Sequence, residues 1–207
     1  MANWLANLAR QLIAKHNPKI IGITGSVGKT STRDAVYAVV STAFFARKGK
    51  KNFNNELGLP LTIIGKDSGG RNIFAWLGVL LSAYWQLWFG SFPEVLILEM
   101  GVDNPGDMDY LLSIARPDVA VLTSIGVAHY EFFKSHQAVA EEKGKLLRAV
   151  VDGVRVARQA AGRAGGDDDS GAFERFTQRR LVGRAVGLKP CIRNHFANVV
   201  AFLLRAI

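Results

Sequence analysis

One short segment constrains this chain more than any other. Residues 22–32, GITGSVGKTST, overlap and follow an apolar, β-branched run, KIIGIT at 19–24. A buried strand that feeds a glycine turn and then a helix is the setting a phosphate-binding loop needs. Gly25 and Gly28 let backbone N–H groups turn towards phosphate oxygens. The start of the next helix, read over 30–43, adds positive potential. Lys29 can reach terminal phosphates, and the Thr30 hydroxyl can ligate Mg²⁺. The common Walker A pattern asks for glycine where this chain has Ile23, so the working pattern is T-G-x-x-G-K-T-S, Thr24 to Ser31. A plain glycine-containing turn is the bland alternative, and the register of Lys29 and Thr30 after Gly28 weighs against it.

The rest of the chain repeats the strand–helix alternation. Residues 3–16 read as an amphipathic helix on Trp4, Leu5, Leu8, Leu12 and Ile13, stopped by Pro18. VLILE at 95–99 and DVAVLT at 118–123 read as two further buried strands. Helices are expected over 107–115, ended by Arg116-Pro117, and over 135–149 with Ser135 as N-cap. The expected fold class is therefore α/β, a mainly parallel sheet with flanking helices. Residues 73–92 carry no charge and are rich in Trp, Phe and Leu. Their length is borderline for a membrane span, and Gly78, Ser82, Gln86 and Gly90 favour a buried or partner-covered helix over one lying on a membrane.

Charge narrows the function classes. The 207 residues hold 26 Lys plus Arg against 17 Asp plus Glu, a net charge of +9. Alone, that invites a polyanion partner. Residues 1–147 hold ten Lys and five Arg against twelve acids, so their excess is three. Residues 148–207 hold one Lys and ten Arg against five acids, which makes an Arg-rich tail the source of most of the charge. The aromatic residues of the first part concentrate in an uncharged segment, so no nucleic-acid partner and no stable membrane insertion are expected. The single cysteine, Cys191, excludes an intramolecular disulfide framework and a cysteine-rich zinc site. With no apolar leader at the N-terminus, the expected location is the cytoplasm.

Two more residues join the loop as candidates by position. Glu99 ends VLILE at the carboxyl end of a strand, where α/β proteins bind ligands, and suits a Mg²⁺ or its water. His129 follows the third strand at the same edge. On composition alone Asn52, Asn54 and Asn55 belong to a polar loop leading into a proline-bounded helix, and Glu131 is a solvated loop charge. Glu141, Glu142, Lys143 and Lys145 fit a salt-laced, exposed helix face.

These segments occur in a familiar order. TGSVGKTST, NFNNELGLP, LEMGVDNPGDMDYL, ARPDVAVLTSIGVAHYEFF and AEEKGKLL together resemble the central ATP-binding domain of the Mur ligases. The wording NNELGLPLT and EMGxxxPGDM favours the branch that adds D-alanyl-D-alanine. The resemblance implies an ATP- and Mg²⁺-dependent amide-bond ligase of peptidoglycan synthesis. It would act on a UDP-N-acetylmuramoyl peptide and D-alanyl-D-alanine through an acyl phosphate. It implies that Gly25, Ser26, Val27, Gly28, Lys29, Thr30 and Ser31 hold the ATP phosphates. It implies that Thr30, Glu99, His129 and a carbamylated Lys143 are metal ligands, and that Asn54 and Asn55 lie near the substrate. Lys145 stands where the family usually has an acid.

The resemblance covers 19–148. The expected organisation is an N-terminal helix at 1–18, the ATP-binding domain at 19–150 and an Arg/Gly-rich tail at 151–207 that ends in an amphipathic helix. A faint likeness to an adenine-binding segment there nominates Asn194, His195 and Asn198. The family's flanking domains have no counterpart in 207 residues. A truncated Mg-ATP-binding remnant, or a Mur-type ligase for another amino acid, are the alternatives.

Overall fold

The computed structural model describes residues 2–50, 56–125, 133, 135–150 and 154–157. Its centre is a five-stranded parallel sheet of β1 (Lys19–Thr24), β2 (Ala46–Lys48), β3 (Val95–Glu99), β4 (Val119–Leu122) and β5 (Val154–Ala157), in the order β2-β3-β1-β4-β5. Six helices accompany it among the described residues: α1 (Ala2–His16), α2 (Lys29–Val40), α3 (Gly58–Ile64), α4 (Ile73–Trp88), α5 (Asp107–Ile114) and α6 (His136–Ala149).

The central strand explains the layering. Every residue of β1 after Lys19 is buried, as a strand covered on both faces requires. Ile21 and Ile23 pack with Val36 and Val40 of α2 on one side. Ile20, Leu96, Leu98 and Leu122 face the larger core on the other side, which α1, α3, α5 and α6 complete. Period-two alternation along the strands sorts the side chains between these two cores.

The N-terminal helix is part of that larger core. Leu5, Leu8 and Leu12 are buried, and α1 packs on α3, α4 and α5. Asn17 ends it in the left-handed region, φ 46°, donating its N–H to Ile13 O at 2.8 Å. Pro18 then prevents continuation. In α3 the proline is not a boundary: Pro60 is the third residue, in the first turn, where its missing N–H costs no helical bond.

Two expectations change. The uncharged segment forms α4, capped by Asn72, whose side chain accepts from Phe74 N at 2.9 Å and Ala75 N at 3.3 Å. Of the buried and partner-covered alternatives, burial fails: only Val79, Ala83 and Gln86 are buried, while Trp85 is 63% and Trp88 72% exposed. Among the described residues it packs on α1 and α3, which cover one of its faces. No helix among the described residues is long and apolar enough to cross a membrane. The second change is β5, which extends the sheet into the stretch read as irregular tail. Residues 158–207, with Asn194, His195 and Asn198, lie outside the described residues.

Leu12 is fully buried in α1. Leu12→Ala should lower the unfolding free energy by about 2–5 kcal/mol in urea titration; a loss under about 1 kcal/mol would mean that α1 is not part of the cooperative core.

Candidate functional site

The site lies at the carboxyl edge of the sheet. Register places Ile23 of β1 beside Glu99, the last residue of β3, and Thr24 beside Leu122 of β4. The loop 25–28 therefore leaves β1 between two strand ends. β4 holds it closely. Ser26 N donates to Ser124 O at 2.8 Å, and Val27 N to Ser124 Oγ at 3.2 Å. Thr123 Oγ1 donates to Val27 O at 2.7 Å. Gly25 has φ 148°, and a Cβ there would stand 2.0 Å from Thr123 Oγ1. Only glycine permits both that backbone conformation and that approach. Gly28 follows at φ 84°, and no side chain caps α2, which leaves its first turn without a side-chain acceptor.

Three side chains meet in front of the loop. Lys29 Nζ donates to Gly25 O at 2.7 Å and lies 3.4 Å from Ser26 O. Thr30 Oγ1 lies 3.3 and 3.2 Å from the two oxygens of Glu99. Glu99 is buried beneath the cleft. The cleft has a volume of about 390 Å³ and is lined by Ser26, Gly28, Lys29, Thr30, Ser31 and Glu99, with Gly101, Val102 and Asp103 opposite. A smaller cleft of about 250 Å³ adjoins it through Gly101 and Asp103 and is lined also by Glu56 and Asp107.

Lys143 departs from the expected exposed face. It is 1% exposed, and its neighbour Glu142 is 4% exposed. Glu142 is turned inward to accept from Gly106 N at 3.0 Å and Met108 N at 2.9 Å, capping α5. Lys145 bridges Glu142 and Asp109 at 2.7 and 2.6 Å. Burial first, and then the positive charge of Lys29, push the Lys143 amine down to about 8. Asp103 and Glu142 oppose that shift.

Sequence reasoning missed Arg33. It is buried, donating to Glu99 Oε2 at 3.3 Å, to Lys50 O at 3.2 Å and to Asp34 at 2.8 Å. Its place one helical turn after Lys29 was the available signal. Thr123 and Ser124 were also missed; their signal was a hydroxyl pair at a strand end beside the loop. Asn54, Asn55, His129 and Glu131 lie outside the described residues. Among the described residues no three His, Cys, Asp or Glu side chains cluster as a metal site.

Comparison with known proteins bears on this edge. The family described as Mur ligase middle domain matches residues 90–161. The chain carries a Mur ligase middle domain. It is 33% identical over 153 residues to the UDP-N-acetylmuramoyl-tripeptide–D-alanyl-D-alanine ligase of Bacillus subtilis, covering 73% of this chain and 28% of that protein. It is 34% identical over 143 residues to the ligase of the same name from Borreliella burgdorferi, covering 69% and 26%. The chain thus spans about a quarter of the length of the curated relatives it matches. In structure it resembles the MurF ligase of Thermotoga maritima solved with ADP, with a TM-score of 0.63 and 29% identity over 86% of this chain and 34% of that one. The expected α/β class, with its mainly parallel sheet, holds in this middle domain.

The buried Lys143 amine of the middle domain makes a pH prediction. The unfolded chain would titrate it near 10.5 and the folded chain near 8. Between those values the unfolded state holds more protons, so wild-type stability rises with pH; below about 8 the penalty is complete. In CO₂-free buffer, the stability gap between Lys143→Met and wild type should narrow from pH 8 to 10.5 in denaturant titrations. A pH-independent gap would contradict the burial of a chargeable amine.

Proposed function

We propose that this chain supplies the ATP-binding domain of an amide-forming ligase of peptidoglycan precursor synthesis. The reaction joins D-alanyl-D-alanine to a UDP-N-acetylmuramoyl tripeptide after ATP has activated the tripeptide carboxylate as an acyl phosphate. The observation that carries this reading is the meeting of Lys29, Thr30 and Glu99 before a glycine loop, at the carboxyl ends of adjacent parallel strands. The name of the relatives in Bacillus subtilis and Borreliella burgdorferi, and the ADP bound to the Thermotoga maritima enzyme, support it.

The donor set suits a nucleotide phosphate with Mg²⁺. The conformations of Gly25 and Gly28 leave a side-chain-free cradle. Lys29 holds two backbone carbonyls, partners that a phosphate oxygen would replace with a stronger, charge-assisted bond. Thr30 and Glu99 offer hard oxygen ligands on one side of the cleft. Mg²⁺, when bound, neutralises phosphate charge and favours attack at phosphorus. Lys29 would neutralise the terminal phosphates, and Gly25 to Ser31 would orient them.

Lys143 fits the role of a carbamylated ligand. Burial lowers the Lys143 amine to about 8, which raises its neutral fraction; that neutral amine would add CO₂ with release of a proton to solvent, and the carbamate would carry a negative charge that Lys29 favours. His129 would complete the metal shell. Asn54 and Asn55, next to Glu56 of the adjoining cleft, would contact the peptide substrate. On this reading the enzyme would meet these substrates in the cytoplasm.

Titration calorimetry of the 207-residue chain with Mg-ATP tests the nucleotide site. Lys29→Ala should weaken binding by about 100-fold or more, and unchanged affinity would overturn the loop assignment. Phosphate release that needs both UDP-N-acetylmuramoyl tripeptide and D-alanyl-D-alanine supports the ligase. Mg-ATP binding without such release supports an ATP-binding module alone.

A further inference from the structure

Among the described residues, one face of α4 takes no part in the nucleotide site and is covered by nothing. Phe74, Leu77, Leu81, Tyr84 and Trp88 follow one another at spacings of three, four, three and four along the helix, and Trp85 flanks them. This is the 3.5-residue seam with which one helix packs knobs-into-holes against another. The opposite face already uses Val79, Ala83 and Gln86, with Gln86 Nε2 donating to Ile64 O of α3 at 2.8 Å. The six side chains of the free seam are between 47% (Tyr84) and 82% (Phe74) exposed. At about 150–250 Å² per large apolar side chain, they present roughly 700 Å². The largest apolar patch of an ordinary monomer is about 300–600 Å², and a stable interface buries about 800 Å² per partner.

We infer that this face is the interface of a homodimer in which α4 packs antiparallel on α4 of a second copy. Two observations select that occupant. The exposed apolar area, roughly 700 Å², approaches the roughly 800 Å² that one partner of a stable interface buries. None of the sixteen residues of α4 is charged, so the helix lacks the basic polar face that holds interfacial helices on lipid. The absence of charge also removes the like-charge conflict that self-pairing of a charged helix creates across a two-fold axis. The antiparallel sense opposes the two helix dipoles and keeps the two Arg71 side chains at opposite ends of the pair. Leu81 is at the middle of Ile73–Trp88, so each copy's Leu81 faces the other near the axis.

Sedimentation equilibrium of the full chain tests this without nucleotide. Wild type should show twice the 22.6 kDa chain mass at micromolar concentration. Leu81→Glu should raise the dimer dissociation constant by about 100-fold or more and leave the far-UV circular dichroism unchanged, because Leu81 is 63% exposed. An equimolar mixture of Leu81→Glu and Leu81→Lys should recover the doubled mass, since the two charges would meet at the axis. The inference is overturned by a wild-type monomer up to high micromolar concentration. It is also overturned by a dimer indifferent to Leu81→Glu, or by a monomer that floats with vesicles of phosphatidylglycerol and phosphatidylcholine.

Discussion

The contact between Gly25 and Thr123 is the constraint on which the site depends. Parallel pairing puts β4 beside β1, and the loop that leaves β1 must then pass against the end of β4. It can do so only without a side chain at residue 25. Thr123 and Ser124 use that closeness to bind the loop through Ser26 and Val27. The loop is thus braced by a neighbouring strand. α2 starts from that braced loop, which directs Lys29 and Thr30 to one side and Arg33 to the interior.

Cations are distributed unequally around this edge, and their environments separate their roles. Lys29 stands at the cleft with backbone carbonyls as partners. Arg33 is buried between Glu99, Asp34 and the Lys50 carbonyl, tying a cleft carboxylate to the residue just before the asparagine segment. Lys143 is deep in the molecule, and its ammonium form is disfavoured by desolvation and by Lys29. The net charge of +9 says nothing about this arrangement. Three lysine and arginine side chains carry three different consequences because burial and partners differ.

The outer helix shows the same separation of composition from context. An uncharged, aromatic segment is compatible with a core helix, a lipid-facing helix or an interface. Its position against α1 and α3 leaves a heptad seam uncovered among the described residues. The placement of the segment in the fold, more than its hydrophobicity, argues for a helical partner.

Much was legible in the chain itself. The apolar runs at 19–24, 95–99 and 118–123 determined buried parallel strands, because only a doubly covered sheet takes such runs. Asn17-Pro18 and Ser135 determined helix limits through local backbone chemistry. Gly25, Gly28, Lys29 and Thr30 marked a glycine turn between strand and helix through spacing along the chain, and the structure has that turn between β1 and α2. Tertiary structure decided the rest, because it depends on contacts between residues far apart in sequence. Short strands such as β2 and β5 gain their order by pairing with β3 and β4, which local sequence does not encode. Glu142 and Lys143 have the composition of a solvated face, yet the N–H groups of Gly106 and Met108 at the start of α5 draw Glu142 inward, and Lys143 is buried beside it. A side chain's charge state and reach follow from what packs over it, and only the folded chain determines that.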